Sequence, residues 1–98
     1  MGNSMSKIEN VLRGILKDLG IEKALRGEEI KEAWGTVVGP FSERARALDF
    51  KDGVLIVGVR GASLRHELEM RKDEFLEKFK KMGFKEVEEI RWKNWREM

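Results

Sequence analysis

Three stretches carry residues whose types and spacing can do chemistry. "RWKNWREM", Arg91 to Met98, interleaves Trp92 and Trp95 with Arg91, Lys93 and Arg96. Aromatic faces stack on bases, and basic side chains hold phosphates. Trp92 is expected to end a strand and pack on a helix. Trp95 is the better candidate for an exposed contact, with a tail anchor as its plainer role. "GVRG", Gly58 to Gly61, is a literal G-x-x-G. In KH domains such a loop joins two helices and clamps a nucleic-acid backbone. Here it falls at a strand end, where a sharp turn is the simpler reading. Arg60, backbone N–H groups and the following helix start could still converge there on a phosphate. The third stretch, "AWGTVVGP" from Ala33 to Pro40, is too apolar for a surface loop and too glycine-rich for an ideal helix. It reads as a packing corner, with Trp34, Val37 and Val38 facing a sheet.

Catalysis has little support. His66 is the only histidine, and it lies about 160° from the centre of its helix's apolar arc. It reads as a solvated residue. Its helical neighbours Glu69, Met70 and Asp73 make a poor metal-ligand set. Glu28-Glu29 and Glu88-Glu89 read as solvated faces, because nothing suggests burial that would shift a pKa. The chain has no Cys, which removes disulfides, thiolate chemistry and cysteine-bound zinc. We therefore expect no catalytic residue, no metal and no cofactor: the chain is not read as an enzyme.

The 98 residues suffice for one domain. Hydrophobic residues make up 41%, enough for a packed interior, while 39% are charged, well above the usual quarter. The chain is rich in Lys and Glu, lacks Gln and has three Asn, a composition that fits a thermophile. Net charge is +2. Residues 1–50 carry eight basic and eight acidic side chains, and residues 51–98 carry twelve and ten. The basicity is mild and slightly C-terminal, so it permits nucleic-acid binding without announcing it. No apolar run approaches a membrane span and no signal-peptide core appears, so the expected location is cytoplasmic. "MGNSMS" matches a myristoylation pattern, though a plain N-terminus or a cloning remnant is the simpler reading.

These residues must be positioned by a small set of elements. Ser6-Lys7-Ile8-Glu9 reads as a capping box, followed by Ile8, Val11, Leu12, Ile15, Leu16 and Leu19 at helical spacing. The first helix is predicted over 7–19, with Gly20 after it. A short turn at Ile21–Leu25 ends at Gly27. A second helix carries Ile30, Ala33, Trp34, Val37 and Val38, and Gly39-Pro40 redirects the chain. Asp52-Gly53 predicts a type I′ hairpin. Its register pairs Lys51 with Val54, Phe50 with Leu55 and Leu48 with Val57, leaving Asp49 and Lys51 on the opposite face. Val54 and Ile56 add apolar character to that outer face. Ser63 is expected to cap a long helix over 64–82, whose apolar arc holds Leu64, Leu68, Phe75, Phe79 and Met82. Arg71 falls inside the same arc and is expected to snorkel, or else to pair with a carboxylate or mark where the helix leaves the sheet to face a partner. Gly83 closes the helix against Phe84, and Val87–Trp92 reads as a last strand with a bulge or late start. The crossover helix makes strands two and three parallel, or separated by one neighbour. The fold class is α+β, in the order α-α-β-β-α-β, with helices on one face of a three-stranded sheet.

Taken in order, Trp34-x-x-Val37-Val38-Gly39, Arg44-Ala45-Arg46, Asp52-Gly53-Val54-Leu55-x-Val57-x-Val59, Ser63-Leu64-x-x-Glu67-Leu68 and Val87-x-x-Ile90-Arg91 resemble the DciA family. Its bacterial members are associated with loading the replicative helicase. The resemblance covers about residues 8–92 and implies a KH-like α+β fold, DNA binding and contact with the hexameric helicase. Leu64 stands where many members have Trp, and Ala47 where many have Pro. The chain also ends six residues past Trp92, where many loaders extend further. On this reading residues 6–92 form one KH-like domain, 1–5 a disordered start or remnant, and 93–98 a short basic-aromatic tail.

The expected function is non-enzymatic binding of DNA, single-stranded or duplex, with weak sequence preference and with the replicative helicase as a partner. Arg44, Arg46, Lys51, Arg60, Arg65, Arg91, Lys93, Trp95 and Arg96 are the candidate contacts. The alternative is a protein-interaction module that uses the apolar sheet face or an edge, without DNA.

Overall fold

Two helices, a hairpin, two more helices and a final strand follow one another along the chain. The computed structural model describes residues 2–95, the side chains of residues 2–6 and 16 aside. The elements are α1 (Gly2–Asp18), α2 (Ile21–Val38), β1 (Ala45–Lys51), β2 (Val54–Val59), α3 (Ala62–Met70), α4 (Lys72–Lys81) and β3 (Glu89–Asn94). The class is α+β as expected, with one more helix than the sequence suggested.

The sheet has the order β1-β2-β3. Strands β1 and β2 form the antiparallel hairpin, and β3 lies parallel to β2 after the helical crossover. Asp52 at φ 51° and Gly53 at φ 82° supply the two left-handed residues that a type I′ turn requires. Near this turn the pairing is as predicted, Lys51 with Val54 and Phe50 with Leu55. Further along it is not: Ala47, rather than Leu48, pairs with Val57, because a bulge lies between Ala47 and Asp49. The extra residue restores Ala45 and Ala47 to the inner face and turns Leu48 outward, where it is 42% exposed.

One buried cluster joins α2, α3 and α4 to the sheet's inner face. Trp34 is at its centre. Its ring lies 5.3 Å from Phe75, 6.0 Å from Trp92 and 6.3 Å from Phe79. Its indole N–H donates to the Ala45 carbonyl at 3.0 Å, so the one polar atom of the side chain is satisfied inside the core. "AWGTVVGP" is thus a packing corner: Ala33, Trp34, Val37 and Val38 are buried, and Gly39–Phe41 forms a 3₁₀ turn toward β1.

Several boundaries differ from expectation for identifiable reasons. α1 begins at Gly2 rather than residue 7, so Ser6 is an interior helical position and not a cap, and residues 2–5 continue the helix. Nothing in Gly2–Met5 stops a helix, since Pro is absent there. The Ser6 side chain lies outside the described residues. Gly27 does not end a turn. It passes mid-helix, buried beneath Phe50, and α2 runs through without a break. The long helix predicted over 64–82 is two helices that meet at Arg71, whose φ of −101° and ψ of 11° leave the helical region. The Arg71 guanidinium pairs with Glu67, four residues earlier, at 3.0 Å and lies over Phe41. Ser63 is the second residue of α3, and Gly61 at φ 98° takes the N-cap position. Gly83 behaves as predicted. Phe84 N–H donates to the Phe79 carbonyl at 2.8 Å and Gly83 N–H to the Lys80 carbonyl at 3.0 Å, a Schellman closure. The last strand starts late, at Glu89, and extends through Lys93 and Asn94, which the sequence reading assigned to the tail.

Arg26 fastens α2 to the α4–β3 loop. Its guanidinium donates to both Glu86 carboxylate oxygens and to the Gly83 carbonyl at 2.8 Å, and it lies 4.5 Å from the Phe84 ring centre. The hydrogen bond from Arg26 holds the Glu86 carboxyl below its ordinary value. That contribution is therefore present above the unfolded carboxyl pKa and lost as pH falls through the folded one. Both groups are about 40% exposed, so the effect stays below about 1 kcal/mol.

Two stability outcomes follow. Trp34→Ala is expected to cost about 3–5 kcal/mol in urea unfolding, as a large-to-small core change. Wild-type stability would contradict the placement of Trp34. Glu86→Gln is expected to flatten the loss of stability on acidification across roughly pH 5 to 3. An unchanged acid slope would show that the Arg26 clamp contributes nothing.

Candidate nucleic-acid interface

Strand register divides the candidate residues by face, because paired residues point to the same side of a sheet. Ala45, Val59 and Asn94 form one inner row; Ala47, Val57 and Trp92 form a second; Phe50, Leu55 and Ile90 form a third. The outer rows are Arg46, Gly58 and Lys93; Asp49, Ile56 and Arg91; and Lys51, Val54 and Glu89. The inner rows are largely committed to the core. On the outer face Arg46, Lys51, Arg91 and Lys93 are exposed, and Val54 and Ile56 are half-buried.

The face is electrically uneven along the strands. Around the hairpin end, Lys51 is accompanied by Asp49, Asp52, Glu88 and Glu89. Glu89 is itself drawn to Lys72 at 3.1 Å, and that hydrogen bond lowers its pKa. At the opposite end, roughly 13 Å away by strand rise, Arg46 and Lys93 flank Gly58. Arg60 follows directly, and Arg91 lies one row back. Arg46, Lys93 and Arg60 thus share the Gly58 end, and among the described residues the Arg46–Gly58–Lys93 row holds no carboxylate, while Arg91 shares the next row with Asp49.

Trp95 completes that end. Its N–H donates to the Val59 carbonyl at 2.9 Å, which extends the β2–β3 pairing by one residue. Its ring lies 4.1 Å from the Arg60 guanidinium and 5.6 Å from that of Arg46. Gly58 makes this placement possible. A Cβ at position 58 would stand 3.0 Å from both the Trp95 Cβ and the Leu48 Cδ1. The "GVRG" stretch is therefore not a loop between helices: Gly58 is buried within β2, and Gly61 opens α3.

The remaining candidates are less concentrated. Arg44 is exposed beside this end, and its guanidinium donates to the Arg60 carbonyl at 3.2 Å. Arg65 is not brought to the outer face: Glu69 at 3.0 Å and the Asn94 side-chain oxygen at 3.2 Å hold its guanidinium. Lys51 belongs to the mixed-charge hairpin end. Arg96 lies outside the described residues. The sequence pattern marks Gly58 only as part of "GVRG" and does not mark Leu48 at this end. The bulge that turns Leu48 outward left no signal in the hairpin pattern. The glycine in a valine-rich strand was a signal of close backbone approach.

This arrangement can hold phosphates and stack a planar ring. Among the described residues no group of acidic, His or Cys side chains could hold a metal ion. Likewise, no described helix is long and apolar enough to cross a membrane.

No curated protein matches the sequence. A protein family does: the one described as Dna[CI] antecedent, DciA, matches residues 7–92, nearly the whole chain. That span includes the Trp34 corner, the hairpin, the crossover helices and most of β3. The chain therefore belongs to the DciA family, a helicase-loader type of accessory family with a role in DNA replication.

Proposed function

We propose that this chain binds nucleic acid directly, through the Gly58 end of its open sheet face, while acting with the replicative helicase. The observation that carries the reading is the Arg60–Trp95–Arg46 stack, beside Lys93 and Arg91, on the face of the sheet that the core leaves open. Exposed guanidinium and ammonium groups take phosphates, and an aromatic ring held by neighbouring arginines offers a base a flat partner. None of these side chains is presented on a helix suited to the major groove, so binding should be largely independent of sequence. Helicase partnership rests on the family and not on a surface identified in this chain. A second reading is protein docking on the same face, supported by half-buried Val54 and Ile56 and the outward-turned Leu48.

Titration with single-stranded and duplex DNA across a salt series separates the two. Nucleic-acid binding predicts a linear loss of log affinity with log salt, and a shallower slope, by just under one, for Arg91→Ala or Lys93→Ala. No binding at low salt would reject the reading in favour of protein docking. Trp95→Ala is expected to weaken single-strand binding by about 1–3 kcal/mol with little change in salt slope. Gly58→Ala should reproduce that loss by displacing Trp95, with far-UV circular dichroism unchanged. Full affinity in both variants would remove the stack from the site.

A further inference from the structure

None of the described side chains of α1 joins the buried core, yet the helix is strongly amphipathic. Every one of its described side chains is exposed. Ile8, Val11, Leu12 and Ile15, with Leu19 in the turn directly after, are 49–68% exposed and fall within one arc of about 100° about the helix axis. Ile21 and Leu25, at the start of α2, are 41% and 54% exposed, and Leu25 lines one shallow hollow with Leu12. A soluble monomer rarely leaves such a contiguous stripe in water. The exposed parts of these seven residues come to several hundred Å², the scale that one partner contributes to a stable interface, about 800 Å².

The charges beside the stripe select the occupant. At 100° per residue, Lys7 and Asp18 lie on the same flank of the stripe, within about 20° of each other. They sit at opposite ends, 11 residues or roughly 16 Å apart. Two copies of a helix packed face to face about a two-fold axis perpendicular to the helix run antiparallel. That operation places each flank against the same flank of the partner, with the ends exchanged. Lys7 of each copy then comes level with Asp18 of the other, twice, while Val11 meets Ile15 near the axis. A two-fold axis along the helix would instead give a parallel pair in which each flank meets the opposite flank, so Lys7 would have no Asp18 across the seam. The antiparallel contact is also closed, so it buries the stripe without propagating into a filament.

We propose that the stripe on α1 is a self-association surface on which two copies of this chain pair antiparallel. The pairing does not depend on nucleic-acid binding.

Sedimentation equilibrium of the full chain over a concentration series tests it. The expected mass at high concentration is twice 11.4 kDa, falling toward 11.4 kDa on dilution. Ile15→Asp should give monomer at all concentrations, with the near-UV tryptophan spectrum of the sheet domain retained. Lys7→Asp or Asp18→Lys alone should raise the dimer dissociation constant about fivefold at low salt, and the double exchange should restore it. A monomeric wild type, a trimer or larger assembly, a dimer indifferent to Ile15→Asp, or a double exchange that fails to rescue would each overturn the proposal.

Discussion

The hydrogen bond from the Trp34 indole to the Ala45 carbonyl, made inside an aromatic cluster, is the constraint on which the rest of the structure depends. It joins the last turns of α2 to the first residue of β1. The same ring touches Phe75 on α4 and Trp92 on β3, so four elements far apart in sequence meet on one side chain. A tryptophan suits this place because it supplies both a large apolar surface and one N–H that must find an acceptor when buried. Here the acceptor is the strand carbonyl directly before Arg46. The position of the first outer-face arginine is therefore fixed by the core.

The face available for function follows from what the core uses. Helices α2, α3 and α4 cover one side of a three-stranded sheet, and their apolar residues account for its inner rows. The outer side keeps a short apolar centre, Val54 and Ile56, with cations beyond it. Charge is sorted along the strands and not merely across the chain. Asp52, Glu88 and Glu89 gather at the hairpin turn, Asp49 and Arg91 share the middle row, and Arg46, Arg60 and Lys93 gather where β2 leads into α3. A net charge of +2 concealed this sorting, because a chain with balanced totals can still carry a strongly positive end.

Much of the fold was legible in the sequence, and the exceptions share a cause. Asp52-Gly53 specified the hairpin because only certain residues tolerate two left-handed positions in succession. Gly83-Phe84 specified a helix end for a similar reason. Both are local signals, as is the stripe of α2. What was not legible depends on tertiary demands: Gly27 stays helical beneath Phe50, the helix breaks at Arg71, and a bulge turns Leu48 outward. The family resemblance drawn from the ordered spacing of Trp34, Asp52-Gly53 and Glu67-Leu68 agrees with the family match over residues 7–92. The site itself was only partly readable. Its arginines were candidates from composition, but Arg65 could not be separated from Arg46 without knowing that Glu69 and Asn94 claim it. The role of Gly58 required knowing that Trp95 crosses it.

The central claim is that the Gly58 end of the open face receives nucleic acid. Amide and indole chemical-shift mapping during titration with a short single-stranded oligonucleotide tests it most directly. The account predicts that the shifts cluster at Arg46, Gly58, Arg60, Arg91, Lys93 and the Trp95 indole, with the hairpin turn and α1 unmoved. Shifts confined to α1, α2 or the Asp52-Gly53 turn would contradict it.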